Sequence, residues 1–130
     1  MRQTVRLSID TLKGIKILKK NYENEFNGLK LNQGYVVSKA FIDTKSNLKD
    51  GESWKKIRDE KFPLGDFNGI EKTEESRTTL DLSDDVLKGI DKMKQDLPGP
   101  FSVNWVTTGY CIRLIVKAGL LKLRGEQKSN

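Results

Sequence analysis

The chain has no histidine, a single cysteine and no run of 18 apolar residues anywhere in its 130 positions. Each absence removes a class of function. Without histidine there is no imidazole acid or base, and no Ser-His or Cys-His nucleophile. The lone Cys111 has no partner for an internal disulfide, which fits a reducing, cytoplasmic compartment. A zinc site lacks its usual nitrogen and sulfur donors, so neither a metal nor any other cofactor is expected. The absence of a long apolar run argues against a membrane span. The start of the chain is polar and then strand-like, without an apolar signal core. The carboxylates are scattered at positions that helix caps or solvated faces explain, so an enzyme is not expected.

What the chain has in excess is positive charge. Lys and Arg total 24 against 18 Asp and Glu, for a net charge of +6. The excess is unevenly placed: +4 over residues 1–43, −1 over 44–76 and +3 over 77–130. Such a balance suits nucleic acid or another anionic surface. Hydrophobic residues make up 35% of the chain, enough for one modest core.

The second abundant feature is repetition. LSIDTLKGIKILKK from Leu7 and LSDDVLKGIDKMKQ from Leu82 align without a gap at an offset of 75 residues. Leu12-Lys13-Gly14-Ile15 meets Leu87-Lys88-Gly89-Ile90, and Lys19 meets Lys94. The same offset brings Gly34-Tyr35 onto Gly109-Tyr110. One offset persisting across two separated segments points to an internal duplication, and two copies suggest a pseudo-symmetric pair.

Each copy carries the same local signals. Val5, Leu7 and Ile9 alternate with Thr4, Arg6 and Ser8, and Leu80 and Leu82 alternate with Thr79 and Asp81. Period two means a half-buried strand. A cap signal follows: Ser83 with Asp84 and Asp85, and Ser8 or Asp10 in the first copy. The period then becomes helical. Leu12, Ile15, Leu18 or Lys19, Tyr22 and Phe26 form one stripe; Val86, Ile90, Met93 and Leu97 form the other. The first helices are expected to stop near Asn27-Gly28 and at Pro98-Gly99-Pro100. A second helix follows in each copy. Asn32 caps one with Val36, Val37, Ala40 and Phe41 inward. Thr107 or Thr108 caps the other, which is apolar around most of its circumference and reads as a core helix.

Strand-helix-helix, twice, resembles the ribbon-helix-helix family. TTLDLSDDVLKGIDKMKQ matches the family's strand and first helix, and VTTGYCIRLIVKAGL its second, with Ile112-Arg113 in the family's place. The resemblance implies a mainly α fold with a two-stranded antiparallel ribbon. A tandem copy in one chain would form an intrachain pseudo-dimer. The expected organisation is a first unit over 1–43, a linker with a partly packed insert over 44–76, a second unit over 77–125 and a flexible tail over 126–130. Within the insert, GESWKKIRDEKF reads as a short helix with Trp54 and Ile57 on one face. Phe62, Pro63, Leu64, Phe67 and Ile70 are expected to pack on the body or to form a patch for a protein partner over 50–70.

By the same resemblance the partner is double-stranded DNA, with the ribbon in the major groove. The chain would act as a transcriptional repressor or a plasmid or phage accessory factor, with self-association on DNA. The base readers implied are Thr4, Arg6 and Ser8 from one strand and Thr79 and Asp81 from the other. Arg6 is either a guanine reader or an ordinary exposed strand arginine. Asp81 departs from the family's usual basic or neutral residue; it accepts from cytosine, pairs with Arg6, or repels phosphate. Phosphate contacts fall to Arg2 and Arg77 at the rim, to Lys13 and Lys88, and to the starts of the second helices. Those are Asn32, Gln33 and Gly34, and Thr107, Thr108 and Gly109. The two glycines either are tolerated in a first turn or admit the close approach of a neighbour or a phosphate. The alternative function is a protein-interaction module on the same fold, with Trp54, Phe62 and Phe67 as its contact surface and no base reading.

Overall fold

The computed structural model describes residues 2–48, 50–63 and 75–128. In chain order these form β1 (Arg2–Ser8), α1 (Ile9–Glu25), α2 (Gln33–Thr44), a 3-10 turn (Lys45–Asn47), α3 (Gly51–Asp59), β2 (Glu75–Asp81), α4 (Asp84–Asp96), the four-residue α5 (Pro98–Phe101) and α6 (Thr108–Lys128). β1 and β2 pair antiparallel as a two-stranded ribbon, and the helices pack beneath it. The fold is mainly α with duplicated helical units joined through one ribbon.

The duplication extends to backbone detail. Ser8 and Ser83 cap α1 and α4 in the same extended conformation, at φ −66°, ψ 158° and φ −67°, ψ 158°. Each side chain accepts a hydrogen bond from the amide three residues on, Thr11 and Val86. Ile9, expected to end the strand, therefore opens α1 instead, because the cap at Ser8 closes the strand first. After the first helices, Asn27 and Ser102 adopt the left-handed conformation at φ 59° and 56°. Asn32 and Thr107 then cap α2 and α6, accepting from the amides of Tyr35 and Tyr110 at 2.8 and 3.0 Å. Phe26 meets Tyr35 edge-on at 6.5 Å, and Phe101 meets Tyr110 edge-on at 6.2 Å. Every one of these pairs is related by the same 75-residue step.

The core gathers the apolar stripes of both copies. Val5, Leu7, Leu80 and Leu82 point in from the ribbon, and Ile15, Leu18, Ile90 and Met93 rise to meet them from the first helices. α6 is the central helix. Cys111, Ile112, Leu114, Ile115, Val116, Ala118 and Leu120 are all buried. Burial raises the Cys111 thiol to a pKa of about 11, so it stays protonated and packs as a small apolar side chain. Glycine permits two equivalent close crossings. A Cβ on Gly89 would stand 2.2 Å from the ring of Phe41, and one on Gly14 would stand 2.7 Å from Val116, the residue 75 positions after Phe41.

The insert between the copies contributes to this core. Asp50 caps α3, accepting from the Ser53 amide at 2.8 Å. Trp54 is only 4% exposed, and Ile57 and Phe62 lie partly buried against the same cluster. α3 is also fastened from below: the buried Lys117 of α6 donates its ammonium to the Arg58 carbonyl at 2.8 Å. That carbonyl lies in the last turn of α3, where a cation is favoured. Leu64, Phe67 and Ile70 lie outside the described residues. Trp54, a contact residue only on the alternative reading, is packed into this core.

Candidate nucleic-acid interface

Period two places Val5, Leu7, Leu80 and Leu82 inward, so their neighbours must face out. Arg2, Thr4 and Arg6 of β1 and Arg77, Thr79 and Asp81 of β2 are all exposed on one face of the ribbon. The register decides who faces whom. Thr4 stands opposite Thr79, Arg6 opposite Arg77 and Arg2 opposite Asp81. Thr4 and Thr79 are themselves 75 residues apart, so the pseudo-twofold axis passes between them. Their hydroxyls meet on it at 3.2 Å. The possible pairing of Asp81 with Arg6 is not what the register provides: Arg2 is the residue across from Asp81, and Arg6 faces a second arginine.

Ser8 occupies a different position from these six. Its hydroxyl caps α1 and sits in a cluster with Asp10 and Arg113. The Arg113 guanidinium donates to Ser8 Oγ at 3.0 Å and to the Asp10 carboxylate, and the Ser8 hydroxyl also donates to Asp10. Arg113 comes from α6, so this cluster fastens the β1–α1 corner of the first copy to the second copy. Its guanidinium also lies over the Phe62 ring at 4.7 Å. Partial burial pushes the Asp10 carboxyl up, but hydrogen bonds from Arg113 and Ser8 and the Arg113 charge outweigh it. Asp10 therefore titrates below its ordinary 3.8. A carboxylate held down in the folded state stabilises above its unfolded pKa, and that stability is lost as pH falls through the folded value. Asp10→Asn should thus lower the melting temperature near neutral pH. The gap between wild type and variant should close as the pH is taken below about 4. A gap that stays constant from neutral to acid would mean that the ion pair contributes nothing.

The starts of the second helices flank the ribbon. Helix geometry leaves the first amides of α2 and α6 without an intrahelical acceptor. Asn32 and Thr107 are exposed caps, with Gln33 and Thr108 as the first helical residues. Gly34 and Gly109 serve a structural contact. A Cβ on Gly109 would lie 2.3 Å from the Arg6 carbonyl oxygen, and one on Gly34 would lie 2.2 Å from that of Asp81. Arg6 and Asp81 are again 75 residues apart. Each second helix therefore rests its first turn on the opposite copy's strand, and the close neighbour of each glycine is a strand backbone. Of the two first-helix lysines, Lys88 is exposed and Lys13 half-buried.

Comparison with protein-family models, with curated proteins and with solved structures found no match for this chain. Among the described residues no cluster of His, Cys, Asp or Glu is arranged to hold a metal, and no helix is long and apolar enough to cross a membrane.

Two features of this region were not visible in the chain alone. The juxtaposition of Arg6 and Arg77 depends on the register between strands about 70 residues apart, and no local pattern encodes it. The Asp10–Arg113 pair joins residues 103 positions apart; the Ile112-Arg113 dipeptide marked the position without indicating its partner.

Proposed function

We propose that this chain binds double-stranded DNA through the polar face of its ribbon, as a tandem member of the ribbon-helix-helix family. Its role on this reading is that of a transcriptional repressor or a plasmid or phage accessory factor. One observation supports the reading above the others. Arg6 and Arg77 stand directly opposite one another on an exposed face, and among the described residues neither has an ion-pair partner. Like charges placed opposite across a ribbon destabilise it, so the arrangement calls for an anion above it. A two-stranded ribbon fits the major groove, where guanidinium groups pair with guanine O6 and N7. The helix starts of α2 and α6 lie on either side, where phosphates would pass.

The test is a titration with random duplex across salt. Neutralising even two phosphates should weaken binding about tenfold between 50 and 200 mM salt, with a linear log–log dependence. Absence of binding at low salt would refute the proposal.

A further inference from the structure

The proposed DNA face is built on a pseudo-twofold axis, yet its charges do not obey that axis. About the Thr4–Thr79 axis, Arg2 exchanges with Arg77, and Arg6 exchanges with Asp81. A symmetric ribbon would carry two arginines at each end. Here one end presents Arg6 beside Arg77, and the other presents Arg2 beside Asp81. A single inverted charge therefore sets an arginine pair in one cross-strand position and an arginine–carboxylate pair in its symmetry-related position, with Glu75 closing β2 beyond Arg77.

The surroundings carry the same bias. Beside Asp81, the start of α2 borders a cleft of about 800 Å³ whose lining includes Asp43, already paired with Lys39 at 2.8 Å, and Asp84 and Asp85. The counterparts of these three residues at the other end are Ala118, Ile9 and Asp10, and Asp10 is held by Arg113. A polyanion approaching the ribbon therefore meets two opposed arginines at one cross-strand pair and an arginine faced by a carboxylate at the other. At the level of bases the contrast is sharper. Arginine donates to the two acceptors on the guanine edge, whereas a carboxylate only accepts and suits the cytosine amino group.

We infer that the ribbon reads DNA with a built-in polarity: the Arg6–Arg77 end recognises guanine, the Arg2–Asp81 end does not, and the target of one chain is non-palindromic. The inference rests on the DNA-binding reading and deepens it. Arg77 then becomes a specificity residue together with Arg6, while its symmetry mate Arg2 remains a phosphate contact at the rim. Arg2 and Arg6 lie four residues apart on an extended strand, about 13 Å. The guanines should thus cluster at one side of a core of about four base-pair steps, taking about 3.4 Å per step.

The symmetry supplies its own control. Arg2→Ala and Arg77→Ala remove the same charge from equivalent, exposed positions. Wild type is first used to select duplexes from a random pool. Both variants are then titrated against a selected and a scrambled duplex at matched salt, with a melting curve for each. Arg77→Ala should lose at least about tenfold on the selected duplex and much less on the scrambled one. Arg2→Ala should lose only a few-fold, and equally on both, as a phosphate contact does. Asp81→Arg, which restores the symmetry, should select a palindromic core. Equal losses for the two alanine variants, a larger loss for Arg2→Ala, or a palindromic core selected by wild type would overturn the polarity while leaving DNA binding intact. Failure of wild type to bind any duplex at low salt would instead overturn the DNA reading itself, and the polarity with it.

Discussion

Gly34→Ala combined with Gly109→Ala is expected to lower the melting temperature by roughly 15 °C. The first links in this argument are geometric. Each added Cβ would sit 2.2–2.3 Å from a strand carbonyl oxygen, against roughly 3.3 Å for an ordinary C···O contact. The obstacle is backbone, so no side chain can rotate away. The first turn of each second helix would have to lift off the ribbon by about an ångström, loosening Val36 and Cys111 just inside it. Overpacking of this kind costs about 3 kcal/mol at the upper end of its usual range. Alanine's better helix propensity returns up to about 1 kcal/mol. About 2 kcal/mol of net loss per site remains, and the two sites are alike by symmetry. Gly125→Ala is the control. Nothing lies within 4 Å of its added Cβ, and it lies in a helix, so the melting temperature should hold or rise slightly. A double variant that melts with wild type would show that the second helices do not dock on the strands as described.

Arg6→Ala is expected to weaken binding to a selected duplex by about tenfold or more, and to weaken binding to a scrambled duplex less. A bidentate contact to guanine is worth roughly 1–3 kcal/mol of discrimination, whereas phosphate contacts set the background common to all sequences. Arg6 projects from the exposed face, with the buried Val5 and Leu7 on the other. Its removal therefore leaves the core untouched. It also relieves the repulsion from Arg77 across the ribbon, so the melting temperature should stay level or rise. Weaker binding together with unchanged or improved stability is the signature of a residue kept for its ligand rather than for its fold. Equal loss on both duplexes would make Arg6 a phosphate contact. A fall in melting temperature would make it a structural residue.

The residues differ in how far local sequence determines them. Alternation alone set the inward face of each strand, because side chains on a strand must point to opposite sides in turn. The caps at Ser8 and Ser83 and the stripe Val86-Ile90-Met93 are equally local, since a helix start and a helix face are each decided within a turn or two. The 75-residue offset then made the pairing of two copies legible, and with it a ribbon supported by helices. Register was not legible. Sliding one strand by two residues preserves both faces and every local propensity, yet it would move Arg77 away from Arg6. What selects the observed register is long-range contact: Gly109 against the Arg6 carbonyl and Gly34 against that of Asp81. The same is true of Arg113 reaching Asp10, because that pair forms only when both copies close. The sequence by itself determined the elements, their buried faces and their pairing as a pseudo-dimer. Only the tertiary structure decided which charges share an end of the ribbon, because electrostatics across a sheet depends on distances that local periodicity does not specify.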